Sequence, residues 1–563
     1  MSVSVKAWVK TGQPWVWLTG GAVALNVIMV AGLLLLIAIR GLGHFWPADI
    51  LQADYLERDG SLSKIIGEVA GTKKDPAIQL REAGIEVPAG VEFVRRDLLK
   101  VGNRDLTGSD FRWVLETGLQ GVNYPEQLFV SERREWGNFY GYLRQLKQQN
   151  ESVGSFEPGQ DLASYEQLWH ALQRRLERAE TIAAQITQIE KHEIGSVNAQ
   201  FERLRLKTRR LQLNDRFTAA EQADIASERE VLELEYQEMQ QRLVELYGQI
   251  ERDSLVAEVA DGQQVEISLS KIVHAYRPNA MSWLEKLFFY CAKLWEFMSD
   301  EPREANTEGG VFPAIFGTVM MVLLMAILVT PFGIVAAVYL REYAKQGPIT
   351  RLIRIAVNNL AGVPSIVYGV FGLGFFIYFL GGNIDQLFFP EALPAPTFGT
   401  PGLMWASLTL ALLTLPVVIV ATEEGLARIP RSLREGSLAL GATKAETLWK
   451  VVLPMASPAM MTGVILAVAR AAGEVAPLML VGVVKLAPSL PLDGNYPFVH
   501  LDQKFMHLGF HIYDVGFQSP NVEAARPLVY ATALLLVVVI VLLNLSAVAI
   551  RNRLREKYKA LEH

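Results

Sequence analysis

Arg470 and Glu474 are the two residues of this 563-residue chain whose types and spacing carry the most chemistry. They stand four apart in the run AVARAAGEVAPLML, residues 467–480, where helical periodicity would place both on one face of an otherwise apolar helix. Each charge costs about 2.5 to 3.5 kcal/mol to place at the centre of a membrane helix, so such residues need partners or a task. A guanidinium offers a planar fork suited to the oxygens of a phosphate-like oxyanion. A carboxylate beside it can compete for that fork or accept a proton from a monoprotonated anion. The plainer alternative is a buried ion pair that fixes helix packing.

A second constellation is the segment ARIPRSLREGSLALGATKAETLWKVVLP, residues 427–454. Ser432 with Glu435, and Thr443 with Glu446, have the spacing of two capping boxes separated by Gly441, which predicts a helix, a glycine turn and a second helix. Pro454 marks where the second helix passes into the next apolar stretch. Taken alone, this is also the pattern of an ordinary helical loop on the cytoplasmic side.

These residues must be positioned by membrane helices. Stretches of about 20 apolar residues, enough to cross roughly 30 Å of hydrocarbon, number about six: near 15–39, 312–340, 360–380, 402–422, 455–484 and 527–550. The first is too long for a signal peptide's apolar region and lacks a small-residue cleavage site before Arg40, so it is an anchor. Pro331, Pro364, Pro416 and Pro477 fall in or beside the spans, as in bundles whose neighbours re-satisfy freed backbone groups. Arg551, Arg553, Arg555, Lys557 and Lys559 follow the last span, and the loops with Arg341, Lys345, Arg351 and Arg354 and with Arg428, Arg431, Arg434, Lys444 and Lys450 fall on the same side. The loop 381–401 has no Lys or Arg. Both termini are therefore expected in the cytoplasm and the long stretch after the first span outside.

Within that stretch, 161–253 holds no proline and predicts a helical hairpin broken near Asn214, Asp215 and Arg216, with Thr218 and Glu221 capping the second arm. Leu232, Tyr236, Met239, Leu243, Leu246 and Ile250 have coiled-coil spacing, and Ile182, Ile186 and Ile189 continue it on the first arm. An arm of about 35 residues would project roughly 50 Å if it stood away from the bilayer. Alternating runs at 91–94, 128–130 and 256–269 predict a small β-containing base. Trp283, Leu284, Leu287, Phe288, Cys291, Leu294, Trp295 and Met298 repeat at helical spacing beside Lys286, Lys293 and Glu296, the pattern of an interfacial amphipathic helix over about 281–298. The hairpin is either a spacer or a docking arm.

Composition narrows the field. The residues are 51% hydrophobic and 20% charged, and the formal net charge of -6 comes with no basic, aromatic-interleaved tract, so a nucleic-acid partner is not expected. One cysteine, Cys291, leaves no intrachain disulfide, and no Cys/His cluster has metal-ligand spacing. The eight histidines lie outside the expected spans, which argues against an integral-membrane enzyme.

Segment 427–454 resembles the EAA loop of ABC importer permeases, where Glu-Ala-Ala, three residues, Gly, nine residues, an aliphatic, one residue and Leu-Pro form the helix that sits in a cleft of the ATPase. Glu435, Gly436 and Ser437 occupy the Glu-Ala-Ala positions, followed at family spacing by Gly441, Val451, Leu453 and Pro454. Gly436 and Ser437 depart from Ala-Ala, keeping small side chains at lower helix propensity. RAAGEVAPLML resembles the RAAGETAPL segment of the A-type permease subunit of phosphate-specific importers. LAGVPSIVYGVFG at 360–372, GGVFPAIFGTV at 309–319 and YLREYA at 339–344 are similar to that subunit as well. The likeness covers about 309–550; the insert resembles that of an enlarged variety.

The resemblance implies an all-α polytopic membrane protein with a MetI-like importer-permease core of about six transmembrane helices, plus a periplasmic α+β insert with a coiled-coil hairpin. The expected domains are a cytoplasmic N-terminus and first span (1–40), the periplasmic insert (41–308), the permease core (309–550) with its cytoplasmic coupling loop (427–454), and a cytoplasmic tail (551–563). Arg470 and Glu474 are implied in the substrate pathway. Glu435, Gly436, Ser437, Gly441, Leu453 and Pro454 are implied in ATPase coupling. The implied setting is the bacterial inner membrane. The implied partners are a homologous second permease, an ATPase dimer, a periplasmic phosphate-binding protein and membrane lipid. The chain lacks a G-x-x-x-x-G-K-[ST] phosphate loop, so ATP and Mg belong to the partner ATPase, and no enzymatic activity, cofactor or metal is expected in this chain. A permease for molybdate or sulfate is the alternative, and a membrane sensor a more distant one.

Overall fold

A computed structural model describes residues 11–57, 59–82, 90–303, 306–519 and 522–559. The first ten residues and the last four, which belong to the expected cytoplasmic ends, lie outside the described residues.

Six helices are long and apolar enough to cross a membrane: α1 (Gln13–Phe45), α6 (Phe312–Tyr343), α8 (Ser365–Phe388), α9 (Leu403–Arg428), α11 (Lys444–Ala471) and α13 (Ala525–Glu556). Between them lie α2 (Leu162–Gln188), α3 (Ile194–Leu213), α4 (Ala219–Ile250), α5 (Trp283–Ser299), α7 (Pro348–Leu360), α10 (Arg431–Ala439) and α12 (Leu508–Tyr513). The centre of the bundle is α9, whose buried face of Trp405, Leu410 and Val418 meets Met321, Met325 and Val329 of α6 and Val464, Ala467 and Val468 of α11. By contrast α1 buries only Gly41. There a Cβ would stand 2.8 Å from the backbone nitrogen of Ala531, so the missing side chain lets the first span lie directly against the last.

The insert is richer in strand than its sequence pattern predicts. Five antiparallel strands, β1 (Ile50–Leu56), β2 (Leu62–Pro76), β3 (Phe93–Lys100), β4 (Phe111–Leu115) and β5 (Leu119–Asn123), form one sheet in the order β4-β3-β2-β1-β5. The strands β6 (Leu128–Arg133), β7 (Asn138–Gln148), β8 (Glu151–Ser155), β9 (Asp253–Glu258), β10 (Gln264–Ser268) and β11 (Ile272–Tyr276) form a second, ordered β10-β9-β7-β6-β11 with β8 beside β7. Ile50 and Ile66 of the first sheet share a core with Leu128, Val130 and Tyr140 of the second. Strand β2 escapes the pattern because its second half, GTKKDP, is polar and is held by pairing with β3.

The hairpin forms as expected, with its break after Leu213 and a complete Thr218–Glu221 capping box. Its inward seam buries Ile182, Ile186, Ile189, Leu232, Leu246 and Ile250. The first half of α2 does more than start the hairpin: Tyr165, Leu168, Trp169 and Leu172 share one core with Phe129, Phe139, Leu143 and Leu255 of the second sheet. Nor does the hairpin stand free of the membrane bundle. Arg203 donates to the Tyr496 carbonyl at 3.0 Å, and Arg210 donates through Nε to Glu391 at 2.9 Å, pinning α3 across two interhelical loops of the bundle.

The amphipathic helix α5 starts at a complete Ser282–Glu285 capping box. It exposes Trp283, Phe288 and Trp295, while Phe297 packs on Phe45 at the end of α1 with ring centroids 5.0 Å apart. That leaves an apolar stripe beside the ends of two spans, as an interfacial helix requires.

Candidate functional site

Arg470 occupies the last turn of α11, which ends at Ala471, two residues earlier than an unbroken helix would need to include Gly473 and three before Glu474. The expected continuous span over 455–484 is therefore corrected. The chain leaves the helix at Ala472, turns through Gly473, Glu474 and Val475, and re-enters a short helix at Leu478–Val481. Pro477 explains the interruption, since it fixes its own backbone and disfavours helix in the residue before it. The ion pair survives the break: Arg470 Nε lies 3.6 Å from Glu474 Oε1, with the side chains 34% and 21% exposed. At that separation the carboxylate attracts the guanidinium without a hydrogen bond. Among the described residues the Arg470 guanidinium makes no hydrogen bond at all, which leaves a half-buried fork of five donors available.

Two glycines set the turn against its neighbours. On α8, a Cβ at Gly369 would lie 2.7 Å from the Cα of Pro477, and one at Gly372 would lie 2.4 Å from Thr409 Oγ1 of α9. Both faces must stay bare for α8 to reach the turn that carries Glu474. Tyr368, one residue before Gly369, donates its hydroxyl to the Leu360 carbonyl at 2.6 Å. The sequence reading passed over Tyr368; its place beside a close-packing glycine in the run 360–372 was the available signal.

The loop 427–454 folds as helix, glycine turn and helix. Gly441 takes the left-handed conformation, φ 88°, at the end of α10, and Thr443 and Glu446 close a full capping box. The expected Ser432–Glu435 box does not form. The helix begins two residues earlier, after Pro430, so Ser432 and Glu435 lie inside it and Glu435 is exposed. Ser437 bonds Thr447 between the hydroxyls at 2.9 Å, tying the two helices together. Among the described residues, nothing beyond its own helix comes within 4 Å of a Cβ built on Gly436, so a close approach there is open to another molecule. Leu440 is 91% exposed and Trp449 74%, large apolar surfaces at the tip of a polar loop.

Leu453 and Pro454 lie within one continuous helical run, α11, where Leu448–Val452 is π-helical and Pro454 sits in the first turn of the α-helix that follows. The second helix of the loop and the fifth span are thus one rod. Its loop end is held to α6: Arg434 donates to Glu342 at 2.9 Å, and Lys444 stands 4.4 Å over the Tyr343 ring. Glu342 and Tyr343 belong to the YLREYA run, so that run and the loop meet in the structure.

Glu132, His274 and Glu296 bring ligand atoms within 4.8 Å of one another in the insert. Lys293 lies 2.5 Å from Glu132 and 2.7 Å from Glu296, and Arg303 2.9 Å from Glu296, so both carboxylates are already neutralised by bound cations of the chain. Burial alone would lift the Glu296 carboxyl, but hydrogen bonds from His274 and Lys293 outweigh it and hold the group well below the ordinary carboxylate range. The cluster anchors α5 to the second sheet.

Comparison with known proteins bears on the core. Residues 329–556 match the family described as binding-protein-dependent transport system inner membrane component. The chain is 38% identical over 248 residues to the phosphate transport system permease protein PstA 1 of Mycobacterium tuberculosis, covering 43% of this chain and 71% of that one. It is 35% identical over 268 residues to the phosphate transport system permease protein PstA of Mycobacterium leprae, covering 47% and 78%. With the probable phosphate transport system permease protein PstA of Methanocaldococcus jannaschii it shares 31% identity over 221 residues, covering 38% and 67%. The two-sheet insert and its hairpin lie outside the matched family region.

Proposed function

Because the chain belongs to the family of phosphate transport system permease proteins, we propose that it is the membrane-spanning permease of an ATP-driven phosphate importer and lines half of the translocation pathway. The observation that carries the role of the site is the Arg470 guanidinium, half-buried at the end of an apolar span, without a hydrogen bond among the described residues and faced by a carboxylate at 3.6 Å. A phosphate entering there replaces Glu474 as the partner of the fork. Two charge-assisted bonds of about 1.5 to 3 kcal/mol each hold it, weakly enough for the carboxylate to help expel it.

ATP with Mg is bound and hydrolysed on a separate ATPase dimer, which receives Glu435, Gly436, Ser437 and the exposed Leu440 of the coupling loop. Motion there passes along α11, a rod of roughly 40 Å between Lys444 and Arg470 at about 1.5 Å per residue, to the substrate site. Gly441 permits the turn, and Leu453 and Pro454 carry the rod into the span. A second, homologous permease completes the pathway, and a periplasmic binding protein delivers the anion. Lys and Arg enrichment in the loops beside α7, α10 and the C-terminal tail supports a cytoplasmic position for them and for both termini, with the insert outside.

The test is ATP-driven uptake of labelled phosphate into proteoliposomes holding this chain with its second permease, ATPase and binding protein. Saturable uptake that ignores sulfate and molybdate and falls at least 100-fold in Arg470→Ala is expected. Competition by the other oxyanions overturns the choice of substrate, and uptake unchanged in the variant reduces Arg470 and Glu474 to a structural pair.

A further inference from the structure

A second Arg–Glu pair lies on the same groove as the first. Below the turn of α11, a cavity of about 330 Å³ is lined by Asn358, Pro416, Val420, Glu424 and Leu466. Its neighbour, about 260 Å³, shares Asn358, Val420 and Glu424 and adds Arg341, Arg354 and Glu423. Leu466 precedes Arg470 by one helical turn on α11, so the two cavities form a groove that starts a turn from Arg470 and ends at Arg354. A water molecule needs on the order of 10–15 Å³ by this measure of volume, so either cavity accommodates an oxyanion with part of its hydration shell.

We propose that Arg354 and Asn358 form an inner subsite for a tetrahedral oxyanion released from Arg470, with Glu423 reclaiming Arg354 as the anion leaves. The proposal rests on the reading of Arg470 as the receiving site. Arg354 donates through Nη1 to Gln346 at 2.9 Å and through Nη2 to the Leu340 carbonyl at 3.3 Å, and the same Nη2 lies 2.5 Å from Glu423, which fixes its plane beside the groove. Its Nε is buried and has no hydrogen-bond partner among the described residues. Asn358, four residues on along α7, brings an exposed amide to the same face. The arrangement repeats that of Arg470 and Glu474: an arginine that binds an anion, and a carboxylate that keeps the binding weak. A conduction path needs several such sites, each favourable enough to enter and weak enough to leave. A lone pair clamping α7 onto α9 would not need the adjoining cavity.

The experiment uses the assembled transporter in proteoliposomes and reads phosphate imported per ATP hydrolysed, the melting of the complex, and labelled phosphate retained without ATP. Arg354→Lys keeps the charge beside Glu423 but loses the fork and Nε; it is expected to lower phosphate per ATP about tenfold with melting unchanged. Glu423→Gln is expected to raise retained phosphate severalfold, because the Glu423 carboxylate no longer competes for Arg354. Wild-type coupling and retention in both variants overturn the subsite. So does recovery of lost melting and of full transport by the exchange Arg354→Glu with Glu423→Arg, which is the behaviour of a clamp. Loss of phosphate uptake by the wild type itself, or indifference to Arg470→Ala, is a different result and strikes the reading of the receiving site instead.

Discussion

Arg434 donates to the Glu342 carboxylate across 2.9 Å, joining the loop after the fourth span to the C-terminal end of the second. The same guanidinium donates to the carbonyls of Ile429 at 2.9 Å and Leu426 at 2.8 Å, so one side chain organises the start of α10. Arg434→Ala removes bonds worth about 1.5 to 3 kcal/mol each to a charged group and leaves Glu342 largely buried without its cation. The expected outcome is an assembled transporter whose ATP turnover loses, by about tenfold, its stimulation by the loaded binding protein, with uptake falling in parallel. Steady-state ATPase assays check this, and undiminished stimulation would mean other contacts hold the loop.

Gly369 makes the packing of α8 against the Pro477 turn testable. An added methyl there meets backbone at 2.7 Å, whereas Gly374 on the same helix has nothing within 4 Å. Overpacking of this kind costs about 1 to 3 kcal/mol, here taken up by displacing the turn that carries Glu474. Gly369→Ala should therefore reduce uptake at least tenfold, and Gly374→Ala should transport as the wild type does. Equal uptake in both would show that the turn can shift without harm to the site.

What the sequence made legible was local. Six apolar stretches, the Thr218–Glu221 and Thr443–Glu446 boxes and the glycine turn at Gly441 each depend on residues within a few positions, and each is present in the structure, the fifth stretch as a helix that stops at Ala471. Ser432 and Glu435 satisfied the same local rule and failed, because Pro430 two residues upstream sets the start of the helix. Arg470 and Glu474 do approach each other, yet across a turn that only Pro477 hinted at. The two-sheet insert was largely hidden, since β2 and β3 pair through register rather than through alternating hydrophobicity. The contacts Arg434–Glu342 and Arg354–Glu423 join residues far apart in sequence and carry no local signature.

The pinning of the hairpin should depend on acidity in one direction. Burial would raise the Glu391 carboxyl, but the hydrogen bonds from Arg210 outweigh it and hold the group below the ordinary carboxylate range. A depressed pKa stabilises the docked state above the unfolded value of about 4.3 and loses that contribution as pH falls through the lower folded value. Spin labels on α3 and on the 391–399 loop should report one fixed distance from pH 8 to 5 and a broadened one only in more acidic solution. Arg210→Ala should broaden it already at neutral pH. A distance that broadens between pH 8 and 6 would point to a histidine instead.

Trimming the hairpin separates its two jobs. Removing 161–253 also removes Tyr165, Leu168, Trp169 and Leu172 from the core of the second sheet. With about 1.5 to 3 kcal/mol for each large apolar side chain, that loss is comparable to the whole stability of a domain, and the variant should fail to accumulate. Glu193 and Arg242 face each other across the two arms at 3.9 Å, so replacing 194–241 by a short flexible linker cuts the hairpin above its core. That variant should fold, assemble and retain a substantial part of phosphate uptake, although it lacks Arg203 and Arg210 and so every contact they make with the bundle loops. Yield, melting of the purified complex and uptake decide the matter together. A trimmed protein that melts like the wild type but imports nothing would show that the arm across the mouth is required for transport and is more than a spacer.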